Sequence, residues 1–227
     1  ALLRLYRRRR DAVCGGEMSR PIVVAITGAS GAVYARRLLE VLLQNGRRVH
    51  AVMSPSARIV FREELDIDPG SGPLTPASLG LRGLSDDQRS LLTVHHHQDF
   101  MAPIASGSFL TAGMVICPCS GGTLSGVVHA ASGNLIHRAA DVHLKERRKL
   151  IVVPRETPLS LPQLENMKRA AEAGAIVLPA MPGWYHGVRT LDDLVDFIVA
   201  RILDQLEVEH RLMRRWGETA AAGGDDC

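Results

Sequence analysis

The sequence predicts a doubly wound α/β fold, a mostly parallel sheet with helices on both faces. Three observations predict it. Short, fully apolar runs recur along the chain, each of strand rather than helix length. Segments with an apolar stripe at helical spacing separate them. Five of the runs end in small, hydroxylated or charged residues: "TGASG", "SPS", "CSGGT", "RETP" and "AMPGWYHG". In an open parallel sheet ligands sit outside the carboxyl ends of the strands, so five such loops describe one site.

The elements follow in order. "IVVAI" (22–26) predicts a buried strand. "AVYARRLLEVLLQNG" (32–46) carries an apolar helical stripe and a glycine stop. "RVHAVM" (48–53) predicts a second strand. Ser54 then offers an N-cap and Pro55 a first helical residue, opening a helix through "SARIVFREEL". Residues 66–90, rich in Gly, Pro, Ser and Asp, read as a surface excursion. "MVICP" (114–118) predicts a strand, with helices over 120–131 and 137–147. "LIVVP" (150–154) predicts a strand, with a helix near 161–173. "AIVLP" (175–179) predicts a strand, and a last helix over 191–207 starts with Thr190 as cap and acidic residues in its first turn. The whole is expected to be a flavodoxin-like or Rossmann-like three-layer sandwich.

Bulk properties limit the function classes. The 227 residues, 46% of them apolar, suffice for one sizeable core. A single domain is expected over residues 18–218, with a flexible tail over 219–227. Residues 1–17 are expected to be a disordered extension; they hold five arginines against Asp11 and Glu17, which accounts for the whole net charge of +3. From Met18 onward 22 basic residues balance 22 acidic ones, so the basic footprint of a nucleic-acid binder is absent. No apolar run reaches the ~18 residues of a membrane helix. Cys14 and Cys227 lie in the expected tails, and Cys117 and Cys119 are expected on opposite faces of the sheet. Their C-x-C spacing is neither that of a zinc ribbon nor that of a thioredoxin-like site. Unpaired, core-like thiols suit a reducing cytoplasm.

The loops offer chemistry of their own. "TGASG" (27–31) reads as a phosphate-binding turn at a helix N-terminus, or as a turn serving only helix–strand packing. "CSGGT" (119–123) has the same strand–loop–helix form, and its alternative is a Ser-capped helix. Two such loops at one edge suit a nucleotide-like ligand. A nicotinamide enzyme is disfavoured, since Tyr34 and Tyr185 lack a lysine four residues on, and Ser54 stands where an acidic residue would hold a ribose. Arg155 and Glu156, after so apolar a strand, are expected to face the site. Arg138 and Lys145 lie two turns apart on one helix face. The run His95-His96-His97 is not read as a metal site, because successive residues of an extended segment face alternate sides. Arg201 sits roughly 100° from the centre of its helix's apolar stripe and is expected to face solvent.

Together, "TGASG", "MAPIASGS", "VICPCSGGTLSG", "NLIHRAADVHLKERR", "LIVVPRETP", "LPAMPGWYHG", "LVDFIVARIL" and "RWGE" resemble the UbiX-type flavin prenyltransferases, over about Ile22 to Glu218. The resemblance implies a flavodoxin-like fold, FMN binding, no metal, and a homo-oligomer, commonly a dodecamer built from trimers. It makes Gly28, Ala29, Ser30, Ser54, Ser120, Gly121, Gly122, Thr123 and Arg155 flavin contacts, with Cys117 and Cys119 as framework. It makes Tyr185 and Arg201 holders of the phosphate of dimethylallyl phosphate, with Arg138 and Lys145 beside them, and so reverses the solvent reading of Arg201. Phe100 and Trp216 become aromatic walls for the prenyl group, and Phe100 departs from the tryptophan that many relatives place before "MAP".

The implied reaction joins the dimethylallyl C1 to N5 of reduced FMN, releases phosphate and closes a ring at C6. Glu64 and Glu156 match carboxylates implicated in the chemistry, and Glu156 with Ser30 is the expected proton acceptor at C6. The product would pass to a partner decarboxylase. A flavin-binding cysteine decarboxylase and a non-catalytic flavin-binding regulatory subunit are the rival readings. Deleting residues 1–17 is expected to leave both flavin affinity and oligomer size unchanged, as read by fluorescence titration and light scattering.

Overall fold

The computed structural model describes residues 19–217. The extension expected over 1–17 and the tail expected over 219–227 lie outside the described residues, with Cys14 and Cys227. The elements are β1 (Ile22–Ile26), α1 (Ala32–Gln44), β2 (Val49–Met53), α2 (Pro55–Leu65), α3 (Asp86–Ser90), β3 (Leu92–His95), β4 (Gly113–Cys119), α4 (Gly121–Val128), α5 (Leu135–Lys145), β5 (Leu150–Pro154), α6 (Leu161–Glu172), β6 (Ile176–Val177) and α7 (Leu191–Gln205). A single 3₁₀ turn, Pro103–Ala105, precedes β4.

The six strands pair in the order β3-β2-β1-β4-β5-β6, every pair parallel. This is the doubly wound order of dinucleotide-binding sheets, with its reversal between β1 and β4. β1, β4 and β5 are buried at every residue because helices cover both faces. One core packs α1, α2 and α7 against Ile22, Val24 and Ile26; the other packs α4, α5 and α6 against Val23 and Ala25. Alternation along β1 thus feeds two cores.

The structure departs from the sequence reading in particular places. The excursion over 66–90 is pinned by Leu79, Leu81 and Leu84, all buried in the first core, and it ends in α3. β3 was absent from the sequence expectation because it is an edge strand with no fully buried residue. Helix α5 starts two residues before the expected 137, since Asn134 caps it through His137 N–H. The strand expected over 175–179 shrinks to Ile176–Val177. Cys117 and Cys119 do enter opposite cores, but not by alternation, which would put residues two apart on one face. A register shift against β5 between Ile116 and Cys119 separates them. Among the described residues no helix is long and apolar enough to cross a membrane.

Two histidines, His143 buried and His50 half-buried, tie elements together. His143 on α5, 1% exposed, donates from Nδ1 to the Ala139 carbonyl (2.7 Å) and accepts at Nε2 from the Thr111 hydroxyl (2.8 Å). His50 on β2 bonds His95 at the end of β3 through Nδ1 and Nε2, 2.8 Å apart, and so fastens the edge strand. Burial pushes each of His143 and His50 from the usual 6.5 down to about 4. A folded-state value below the unfolded one means that the stability is complete above about 6.5 and is lost as pH falls toward 4. Urea unfolding is therefore expected to show lower stability at pH 5 than at pH 7, on the order of 1–2 kcal/mol from the buried His143 and less from the half-buried His50. His143→Gln should flatten part of that slope; an unchanged slope would assign the effect to His50 and other groups.

Candidate active site

Parallel pairing sets all six strand carboxyl ends along one edge, and the loops after β1 and β4 flank the point where strand order reverses. Thr27, 1% exposed, begins the first loop. Its hydroxyl donates to the Pro118 carbonyl (2.6 Å) and accepts from Ser120 N–H (2.8 Å). Gly28 lies against the first turn of α2, where an added Cβ would stand 2.5 Å from Ser56 Cβ. Only glycine lets these two loops approach so closely. Ser54 caps α2 by accepting from Ala57 N–H (3.2 Å). Ser30 is exposed, and its carbonyl accepts from Arg155 Nε (3.1 Å), which joins the loop after β5 to the loop after β1.

The fourth strand leads into Ser120, whose hydroxyl caps α4 at Thr123 N–H (3.3 Å). Gly121 abuts the Gln163 amide; an added Cβ would stand 2.9 Å from Nε2. That same Nε2 lies 3.4 Å from a Glu156 carboxylate oxygen, and the other oxygen accepts from Thr157 N–H (3.2 Å). Gly122 has open space around it. The expected flavin contacts Gly28, Ala29, Ser30, Ser54, Ser120, Gly121, Gly122, Thr123 and Arg155 therefore occupy one stretch of the sheet edge, with Glu156 beside it. Sequence reasoning gave Thr27 and Gln163 no role. The Ser160-x-x-Gln163 capping box was a readable signal for Gln163.

Glu64 bears on the phosphate reading of "TGASG". Helix α1 has no side-chain cap of its own; Glu64 accepts from Gly31 N–H (2.8 Å) and Ala32 N–H (2.8 Å) instead. An internal carboxylate thus holds the helix N-terminus where an external phosphate was expected. Beneath this turn, burial raises the Tyr34 phenol, and the neighbouring Cys117 adds to the effect. Cys117 and Cys119 are fully buried; burial pushes Cys119 up to about 12 and Cys117 further still. Neither is a thiolate at neutral pH. Among the described residues no group of three or more His, Cys, Asp or Glu side chains could hold a metal ion.

The expected phosphate holders do not gather in one place. Tyr185 packs edge-on against Trp216 (5.3 Å between centroids) and Phe197 (5.8 Å). Arg201 lies one turn beyond Phe197 on α7, half-exposed, and bonds Asp204 (2.6 Å) rather than pointing freely into solvent. Arg138 bonds the Ala105 carbonyl (3.0 Å) and Asp141 (2.9 Å). Lys145 ends α5 and pairs with Glu146 (2.6 Å), just before the chain enters β5. Arg155 follows the other end of β5, so a strand length of roughly 16 Å separates them along the sheet. Phe100, in the segment after β3, is 46% exposed.

The model of the family described as Flavoprotein matches residues 15–203. The flavin prenyltransferase UbiX of Alkalihalophilus pseudofirmus is 52% identical over 197 residues, 87% of this chain and 96% of that protein. This chain belongs to the Flavoprotein family, among the UbiX flavin prenyltransferases. The crystal structure of AnUbiX (PadA1) in complex with FMN and dimethylallyl pyrophosphate superposes with a TM-score of 0.76 at 36% identity, covering 89% of this chain and all of that one. A dodecameric FMN-dependent UbiX-like decarboxylase from Escherichia coli O157:H7 gives 0.74 at 38%, covering 87% of this chain and all of that one.

As thiols buried in its two cores, Cys117 and Cys119 are expected to resist alkylation by iodoacetamide while the protein is folded, as read by peptide mass mapping. Cys119→Ser should keep flavin binding, with a packing loss of at most a few kcal/mol. Loss of flavin binding in a folded Cys119→Ser protein would return the thiol to the site.

Proposed function

We propose that this protein is a flavin prenyltransferase: it joins a dimethylallyl group from dimethylallyl phosphate to reduced FMN, in the reducing cytoplasm, and supplies the product to a decarboxylase. The observation that carries this reading is the continuous edge made by the loops after β1, β4 and β5, closed by the Arg155–Ser30 bond across the strand-order reversal.

FMN fits that edge. Gly122 leaves backbone open to a ligand, Ser30, Ser54 and Thr123 offer hydroxyls, and Arg155 supplies positive charge. Helix α1 being capped by Glu64, the first-turn amides of α4 are the remaining helix N-terminus at the reversal point. FMN, bound and reduced, supplies the nucleophilic N5 and C6 that take the prenyl group. The chain's own residues bind, orient and move protons. Arg155 and the loop hydroxyls hold the flavin. Tyr185, Arg201, Arg138 and Lys145 hold the departing phosphate and stabilise its charge. Phe100 and Trp216 give a cationic prenyl fragment aromatic walls and exclude water.

Lys145 and Arg155 of one chain stand at opposite ends of the sheet, so one copy does not assemble this set. Tyr185, Trp184, Trp216 and Met181 are exposed. We read the site as completed between copies in a homo-oligomer, up to a dodecamer. The regulatory-subunit reading leaves the cations Lys145, Arg138 and Arg201 without a second phosphate, beyond that of FMN, to bind. Incubation with reduced FMN and dimethylallyl phosphate, followed by mass analysis of the flavin, separates the three: only the prenyltransferase adds a prenyl mass.

Glu156 is the proposed base at C6, with Ser30 as relay: as C6 bonds one carbon of the prenyl alkene the π bond breaks, the other alkene carbon takes a proton, and the C6 proton passes to Glu156. Glu156 is exposed, held by Gln163 and Thr157, and contributes little to holding the flavin. Glu156→Gln is expected to keep FMN affinity within about tenfold, or ~1.4 kcal/mol. Product formation should fall by on the order of a hundredfold. Turnover at the wild-type rate would shift the role to Ser30 or the released phosphate.

A further inference from the structure

We infer that Thr27 is a positioning residue for flavin, its hydroxyl fastening the Ser120–Thr123 loop to the Gly28–Ser30 loop across the strand-order reversal. The inference rests on the flavin reading of this edge. Strand β4 pairs with β5 in register through Ile116, then again at Cys119, with a shift between. That irregularity takes the Pro118 carbonyl out of the ladder, and Pro118 has no N–H to offer. Ser120 N–H lies just beyond the last paired residue. A buried carbonyl and a neighbouring N–H are thereby left to be paired from outside the sheet. The Thr27 hydroxyl, one donor and two acceptor lone pairs, takes both at 2.6 and 2.8 Å. These bonds span 91 and 93 residues of sequence. Thr27 is 1% exposed, so water does not compete for them.

The position of this bond gives it a role beyond packing. Thr27 is followed directly by Gly28, Ala29 and Ser30; Ser120 is followed directly by Gly121, Gly122 and Thr123. One hydroxyl therefore sets the spacing and tilt of two loops that both touch the proposed flavin. A ligand that spans both loops senses the loss of the bond. Valine has nearly the same shape and can make neither contact. Serine keeps the hydroxyl and loses only a methyl group.

The test compares Thr27→Val and Thr27→Ser with the full wild-type chain, by FMN titration, visible circular dichroism of the bound flavin and urea unfolding. Thr27→Val is expected to lose FMN affinity at least tenfold and to change the dichroism of the flavin that still binds. Thr27→Ser should stay within threefold with the wild-type spectrum. FMN affinity within threefold for Thr27→Val, or an equal loss in both variants, overturns the inference. Should Thr27→Val fail to fold, hydrogen exchange of the wild-type protein without flavin decides: Ser120 N–H must be as protected as the amides of β4, and rapid exchange there overturns the inference. A wild-type chain that binds no FMN overturns the flavin reading and this inference together, whereas tight wild-type binding with an indifferent Val variant overturns the inference alone.

Discussion

The reversal of strand order between β1 and β4 is the constraint on which the rest depends. On either side of it the connecting helices pack on opposite faces, so the loops leaving β1 and β4 diverge and open a crevice. A crevice between two strands only 4.7–4.9 Å apart admits a ligand only where the loops are nearly bare backbone. Gly28 against Ser56, Gly121 against Gln163 and the open Gly122 meet that demand. The same crevice leaves strand-end polar groups without ladder partners, which Thr27 supplies, while Ser54 and Ser120 cap the first-turn amides of α2 and α4. Fold and site here are one set of hydrogen bonds.

The central fold was legible because its signal is local. Strands such as "IVVAI" and "LIVVP" are apolar throughout, since both faces are covered, and no other element has that pattern at that length. The edge was not legible. Leu92–His95 has a partner on one side only and is half-polar, and a side-chain bond fastens it to His50, 45 residues away. Leu79, Leu81 and Leu84 are scattered among Gly, Pro and Ser, so nothing periodic marks them as core. The separation of Cys117 from Cys119 needed the register shift, which is a property of the pair β4–β5 rather than of either sequence.

Much of the candidate site was legible at the level of which loops meet, because parallel strands leave no choice of edge. Which side chains meet was less so. Arg155 does reach the Ser30 loop. Glu64 looked like a reacting carboxylate and stands at a helix terminus 33 residues away in sequence. Arg138 and Lys145 do share a helix, but a helix that descends between two parallel strands carries its last residue to the far end of the sheet. The cations of one chain are thus divided between two ends of the molecule, with Arg138, Lys145 and Arg201 paired locally with Asp141, Glu146 and Asp204. Half-exposed pairs of this kind exchange partners at small cost, which suits cations proposed to let go of a carboxylate to hold a phosphate.

The Glu64 cap has a consequence for which nucleotides the edge accepts. In sheets of this strand order a dinucleotide seats its pyrophosphate on the helix that follows β1. Here that helix meets a carboxylate of its own chain at two amides. A second phosphate arriving there would find the donors taken and a like charge in place. The cap is thereby expected to discriminate by exclusion: a mononucleotide, with one phosphate to seat elsewhere, should bind more tightly than a dinucleotide, whose second phosphate meets the Glu64 carboxylate.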